Sequence, residues 1–299
     1  MALDKPVSVE LKAVLAAAMG STLVGGVPMI AVGLYRDGMD AQSLLFWRYW
    51  IALAVLWPLA WATSPSLRED WRKAGLGLFL NGLTLGVVQT FTYFRAVETV
   101  PSSIVITIFF TYPIITLAIE SFLYGRRPTI GSIFAVGLVF IGAMMAGWPN
   151  LSFAVTEPIG LVCAILTPLG YSIYVAVAYR FTRRQASPFA AAAAIYTGLG
   201  VGYAIVVAIV GLKLPLGWAG IGSLFLVAIV GGVIQITSFA YALPRLSASG
   251  YSIIVSMELV TVVLLGVVVL GETLSAVQMA GVALVAVGIV VDRLMRRPA

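Results

Sequence analysis

One carboxylate stands apart in this sequence. Glu258 lies in the middle of the apolar run Ala248 to Leu270, where a charged side chain costs on the order of 3 kcal/mol even on a lenient insertion scale. Such a group is either protonated or wet. Three roles are open to it: binding a substrate cation, carrying a proton, or serving as a neutral acid bonded to Tyr251 or Thr261 on its own helical face. Glu120 differs. It sits near the cytoplasmic end of its run, within snorkelling distance of Arg126 and Arg127, and reads as structural.

The neutral polar residues fall at helical spacing. Thr167, Tyr171 and Tyr174 recur at i, i+4 and i+7, a stripe of hydroxyls; Gln89 and Tyr93 are one turn apart, and Gln235 with Ser238 echoes them. Asn81 and Thr84 share the run of Gln89, and Tyr112 stands on the next. Ser103, Thr107 and Thr111 form a ladder, loosely mirrored by Ser249, Ser252 and Ser256. Ladders of this kind serve helix packing, whereas large polar groups are harder to hide between helices and favour a wet cavity. Gly and Pro interrupt two runs at corresponding places: Ser21-Thr22-Leu23-Val24-Gly25-Gly26-Val27-Pro28 and Thr167-Pro168-Leu169-Gly170-Tyr171. A proline inside a membrane helix frees a carbonyl about one turn earlier, to be met by a Ser or Thr hydroxyl or by a ligand. The candidate substrate-binding set is Ser21, Thr22, Gly25, Pro28, Asn81, Gln89, Tyr93, Tyr112, Thr167, Tyr171, Tyr174, Gln235, Ser238 and Glu258.

Other chemistry is poorly served. There is no histidine and a single cysteine, Cys163, inside an apolar run; that removes the usual metal ligand and neutral-pH base. No His-Glu, paired-Asp or Ser-Lys cluster falls at depth, and no Gly-x-x-x-x-Gly-Lys loop occurs. The expectation is no enzyme, no cofactor, no metal, no nucleic-acid partner and no direct use of ATP. No Lys or Arg is expected at the midplane, which disfavours phosphorylated solutes. An aromatic, hydroxyl-rich lining with one acid suits a neutral or zwitterionic solute with an apolar side chain, or a lipophilic cation.

These residues need helices in lipid to hold them. Hydrophobic residues make up 61% of the 299-residue chain and charged ones 10%, more apolar sequence than a soluble core uses. A bilayer core about 30 Å thick takes roughly 20 apolar helical residues. Intervals free or nearly free of charge then give ten spans: Ala13 to Tyr35, a second with its core at Tyr49 to Thr63, Ala74 to Phe94, Ser102 to Tyr124 interrupted only by Glu120, one within Pro128 to Thr156 before a loop at Trp148-Pro149-Asn150, Pro158 to Tyr179, Phe189 to Leu212, Gly217 to Tyr241, Ala248 to Leu270 around Glu258, and Thr273 to Val291. The N-terminus carries no cleavage pattern of a removable signal peptide. With that terminus inside, fourteen of the 18 Lys and Arg face the cytoplasm, and Arg36, Arg48, Arg95 and Lys213 remain outside. That bias places both termini in the cytoplasm and the protein in the cytoplasmic (inner) membrane.

The chain is also doubled. Leu78 to Gly142 repeats as Leu224 to Gly288 at a shift of 146 residues, with Gly86-Val87-Val88-Gln89 on Gly232-Val233-Ile234-Gln235 and Ala96, Ser103, Gly125 and Gly142 on Ala242, Ser249, Gly271 and Gly288. Gly26 to Tyr35-Arg36 corresponds weakly to Gly170 to Tyr179-Arg180. Five spans per copy force the second to insert upside down, so the expected fold is an all-α membrane protein of ten transmembrane helices in two inverted-topology five-helix repeats, residues 1–150 and 151–299. Gly82 and Gly86, and Gly198 and Gly202, are GxxxG pairs that let backbones approach, within the chain or across a dimer. An internally paired bundle needs no partner, and a monomer is the expectation.

Two halves of five spans, the Arg of Phe46-Trp47-Arg48 early in span two, and the run from Ala242 ending in Leu270-Gly271-Glu272 resemble the drug/metabolite transporter superfamily, specifically its EamA branch. The chain departs from that pattern at Gly125-Arg126, where Gly-Glu is common, and at Glu258-Leu259, where Glu-Pro is common. The resemblance extends to bacterial amino-acid exporters, aromatic amino acid exporters among them. It implies a secondary transporter that exports small metabolites, chiefly neutral or aromatic amino acids, by alternating access of one cavity; efflux of cationic drugs or other small organic solutes is the alternative, and a channel could use the same polar stripe.

Overall fold

The computed structural model describes residues 7–100, 102–125, 127–147, 157–185, 187–214, 217–271 and 273–295. Lys5, Arg126, Glu272, Arg296, Arg297, the Trp148-Pro149-Asn150 loop and the expected boundary at residue 150 lie outside them. Among the described residues there is no strand, and ten helical segments are long and apolar enough to cross a bilayer. Spans one to ten are Val9–Arg36, Ala41–Thr63, Leu67–Val97, Ile104–Tyr124, Ile130–Gly147, Pro158–Thr182, Pro188–Val210, Gly217–Ala242, Ala248–Val269 and Ala276–Met295. The chain is a multi-pass membrane protein.

Local chemistry sets the ends. Asp40 caps span two by accepting from the Ser43 N–H at 2.8 Å, and Ser247 caps span nine by accepting from Gly250 at 3.0 Å. Spans four and nine stop at Gly125 and Gly271, both left-handed (φ 62° and 69°) and 146 residues apart. The Asp40 cap starts span two eight residues before Tyr49, the first residue of the expected core. Arg48 therefore lies inside the span, about 10 Å along its axis, and not on the outer surface where the charge-free interval put it.

The two halves pack as an inverted repeat. Span three lies against six and span eight against one; span two packs on eight and seven on three; spans two and seven, and five and ten, meet their own counterparts. Exchanging each helix with its partner five places on reproduces these contacts, as a two-fold axis in the membrane plane requires. The GxxxG pairs face each other inside the chain: a Cβ at Gly82 would strike the Ile195 carbonyl, and one at Gly198 would lie 2.6 Å from the Leu83 nitrogen. Spans three and seven thus touch backbone to backbone.

Some of the irregular places also come in pairs. Span three widens into a π-helix at Gly82–Gly86 and span eight at Ala228–Ile234. Span four breaks between Ser102–Phe109 and Tyr112–Tyr124, and span nine between Ala248–Val255 and Met257–Leu270. Span one breaks at Gly25-Gly26, as its glycines suggest. Span six does not break: it runs unbroken from Pro158 to Thr182 around Pro168. There Thr167 donates to the Cys163 carbonyl at 2.8 Å and Ser172 to that of Pro168 at 2.7 Å, hydroxyls that serve the backbone on either side of the proline.

Candidate functional site

The broken helices carry the two residues that the repeat pairs most tellingly. At a shift of 146, Tyr112 falls on Glu258; each stands just after the break in its span, Tyr112 first in Tyr112–Tyr124 and Glu258 second in Met257–Leu270. Tyr112 is buried, its hydroxyl donating to the Ser252 carbonyl at 3.1 Å and hydrogen-bonded to Ser256 Oγ at 3.3 Å. Span four is thereby pinned to the break in span nine. Glu258 is half-buried. Gly25 packs beneath it, an added Cβ there lying 3.1 Å from the Glu258 carbonyl and 3.0 Å from Thr261 Cβ. Thr261 spends its hydroxyl on the Met257 carbonyl, at 3.2 Å, and not on the acid.

Aromatic rings surround this pair. Tyr171 lies 4.9 Å from Tyr112 and 5.5 Å from Phe109; Tyr93 meets Phe109 at 5.7 Å; Tyr174 stacks on Phe239 at 5.7 Å, and Phe239 meets Tyr251 edge-on at 5.1 Å. Tyr93, Tyr112, Tyr171 and Tyr251 are all within electrostatic reach of Glu258. Rings offer stacking to an apolar side chain and their negative faces to a cation.

Arg48 completes the arrangement; the sequence marks it as an Arg early in span two but counts it on the outer side and leaves it out of the candidate set. Its Nη2 donates to the Gly231 carbonyl, and the Tyr196 hydroxyl donates to the same oxygen at 3.2 Å. Gly231 lies in the π stretch Ala228–Ile234 of span eight, where the helical ladder is irregular. Arg48 Cζ sits 5.8 Å from the Tyr49 ring, which packs on Tyr196 at 5.0 Å and Tyr203 at 5.6 Å. Arg48 and Glu258 interact electrostatically. The broken stretch of span one bridges them, since Gly25 abuts the Glu258 backbone and Val27 the Gly231 Cα, where an added Cβ would lie 2.9 Å from Val27 Cγ2. The signal that could have found Arg48 was the Asp40-x-x-Ser43 cap, which starts its helix two turns earlier. With a guanidinium inside the span, the sequence argument against anionic groups loses its ground.

Several expected site residues do other work. Asn81 donates to the Tyr174 carbonyl at 3.2 Å and the Thr167 and Thr92 hydroxyl oxygens lie 3.1 Å apart, ties between spans three and six. Ser21 donates to its own Ala18 carbonyl at 3.0 Å. Ser238 is buried against Gly20, where a Cβ would lie 2.7 Å from Ser238 Cβ, and Gln235 flanks the same contact. Gln89 is half-buried against Gly170. Thr22 is exposed, off the buried stripe of Ala13, Ala17 and Ser21. Pro28 opens the second piece of span one, and its side chain lies outside the described residues. The structure therefore gathers Tyr93, Tyr112, Tyr171, Tyr174 and Glu258 with Gly25 at their edge, and leaves Asn81, Thr167, Ser21 and Ser238 in helix contacts. Glu120, read as structural, is buried and accepts from the Ser249 N–H at 2.8 Å at the start of span nine. Among the described residues no three His, Cys, Asp or Glu side chains group as a metal site.

The sequence profile of the EamA-like transporter family matches residues 11–148 and 158–291. A search of curated proteins gives no match. Of solved structures, 29 chains match. One, described only as the crystal structure of a protein, superposes with a TM-score of 0.80 at 18% identity, over 95% of this chain and 97% of its own. That likeness is one of fold.

Proposed function

This chain belongs to the EamA-like transporter family, and from that premise we propose that it exports neutral or aromatic amino acids across the cytoplasmic membrane by alternating access. Members of the family are membrane transporters of small solutes and not enzymes. The observation that carries the substrate reading is the pairing of Glu258 with Tyr112 at matched helix breaks inside a ring of tyrosines. An acid among aromatic faces holds an ammonium group and an apolar side chain together. Broken helices at corresponding places of two inverted halves are where such transporters bind, and rocking of the halves exposes the site to each face in turn.

The orientation belongs to the same proposal. With Arg48 removed from the outer count, fourteen cations on the cytoplasmic side stand against three, supporting an inner-membrane protein with both termini in the cytoplasm. The GxxxG faces are consumed between spans three and seven, which supports a monomer.

Counterflow in proteoliposomes tests the reading. Vesicles loaded with unlabelled phenylalanine, tyrosine or leucine should accumulate the labelled amino acid transiently and saturably. Non-saturable flux would make the protein a channel. A flat response across amino acids, with saturable exchange of cationic dyes, would replace the proposal with drug efflux, which the same acid and rings would serve.

A further inference from the structure

Arg48 has more donors than the fold uses. Nε and Nη2 are the two nitrogens of one edge of the guanidinium, the fork that matches a carboxylate. Nη2 is held by the neutral Gly231 carbonyl, while Nε is buried with no hydrogen-bond partner among the described residues. A carbonyl satisfies a hydrogen but leaves the charge uncompensated, and a buried cation in a span is expensive. The nearest opposite charge that acts on it is Glu258, beyond direct ion-pair contact and on the far side of the span-one break. One fixed cation and one fixed anion, set apart at the edge of an aromatic cluster, form the complement of a zwitterion.

Resting on the amino-acid reading, we infer that Arg48 is the subsite for the substrate's carboxylate. The Gly231 carbonyl, inside the π stretch Ala228–Ile234, holds the guanidinium in place. An arriving carboxylate takes the Nε and Nη2 edge, and Gly231 keeps the Tyr196 hydroxyl as its donor. The ammonium group then faces Glu258 and the ring of Tyr93, Tyr112 and Tyr171. Recognition is split between two halves of the molecule: Arg48 comes from span two, Glu258 from span nine. A bidentate site rejects an analogue lacking the group it was built to bind, because its own buried donors are then left unpaired.

Three probes isolate the two ends: phenylalanine, phenethylamine, which lacks the carboxylate, and 3-phenylpropanoate, which lacks the amine. The intact protein should exchange phenylalanine in preference to phenethylamine. Arg48→Gln should cut phenylalanine counterflow at least about tenfold while phenethylamine exchange is kept, and Arg48→Lys should recover part of the preference. The ratio of the two probes in one preparation does not depend on the fraction folded. An Arg48→Gln protein that keeps the preference, or loses both probes by one factor, overturns the assignment. If the unaltered protein exchanges no amino acid, the parent reading fails, and thermal unfolding in detergent decides the subsite: 3-phenylpropanoate should protect the unaltered protein and not Arg48→Gln. Protection of neither, or of both alike, removes it.

Discussion

Glu258 and Asp40 are both acids whose surroundings can be read in detail, and they predict opposite things. Glu258 is half-buried among tyrosines, and its neutral isostere keeps hydrogen-bonding capacity while removing a charge that costs on the order of 3 kcal/mol at depth. Glu258→Gln should therefore unfold at the same temperature or a higher one in detergent, yet lose phenylalanine counterflow; unchanged counterflow would show the acid to be structural. Asp40 lies outside the spans. Burial alone would raise its pKa, but the Ser43 backbone N–H and hydroxyl and the Lys213 ammonium outweigh it and hold the carboxyl below its ordinary 3.8. A depressed value in the folded protein contributes stability that is complete above pH 3.8 and disappears as pH falls through the lower folded value. Asp40→Ala should cost about 1 kcal/mol at neutral pH. The gap in melting temperature between the two proteins should close on acidification below that range, and a gap constant down to pH 3 would contradict the cap. Glu258 could be read from the sequence because an acid in an apolar run is conspicuous. Arg48 was harder to read, because counting a span from its first uncharged residue discards whatever charge lies in its first two turns, and only the Asp40-x-x-Ser43 cap marks the earlier start.

At the scale of helices, the breaks in spans four and nine explain why equivalent residues differ without loss of shape. Pro113 follows the break in span four and removes a backbone donor. Its counterpart 146 residues on is Leu259, which nonetheless sits in the same discontinuity, donating to the Ser256 carbonyl at 3.1 Å, three residues back and one residue tighter than an α-helix. The break is thus set by packing, with Tyr112 anchored on Ser252 and Ser256, and not by proline alone. Leu259→Pro should be tolerated, losing one tight-turn hydrogen bond and keeping transport. Val263→Pro, inside the intact second piece of span nine, should cost about 3 kcal/mol or more. Equal losses of melting temperature for the two would mean that the discontinuity is not where the structure has it. The span-one break was legible in Gly25-Gly26-Val27-Pro28, but the expectation for span six failed. Pro168 announces a kink, but the helix continues through it, and that the Thr167 and Ser172 hydroxyls bond carbonyls on either side is known only from their geometry.

The inverted repeat is the most legible feature at the scale of the molecule, because a 146-residue shift survives any doubt about a span's limits. What the sequence did not reveal is how the halves are held at each end. At the end where spans two and six begin, Arg95 pairs with Glu157 at 2.7 Å and Lys213 with Asp40 at 3.3 Å; Trp47 Nε1 donates to the Lys213 carbonyl at 3.2 Å and the Lys213 N–H to Ser43 Oγ at 2.9 Å. Each contact joins one half to the other, and on the proposed orientation all lie at the outer face. The opposite end is joined by Thr63 and Ser187 hydroxyls at 2.8 Å and by Gln185 on the Asp70 carbonyl at 3.3 Å, among other contacts. A single exposed ion pair contributes at most about 1 kcal/mol, but states that interchange in a transport cycle differ by only a few kcal/mol, so reversing one charge shifts their populations measurably. Lys213→Glu sets a second acid beside Asp40 and should favour the outward-open state. With Cys163→Ser as background and Phe109→Cys as reporter beside Tyr112 and Tyr171, labelling by an impermeant maleimide from outside should accelerate about threefold to tenfold. Adding Asp40→Lys restores an opposite-charge pair and should slow it again. Acceleration without rescue would point to loosened packing, and no acceleration would mean that these ion pairs do not guard the outer entrance.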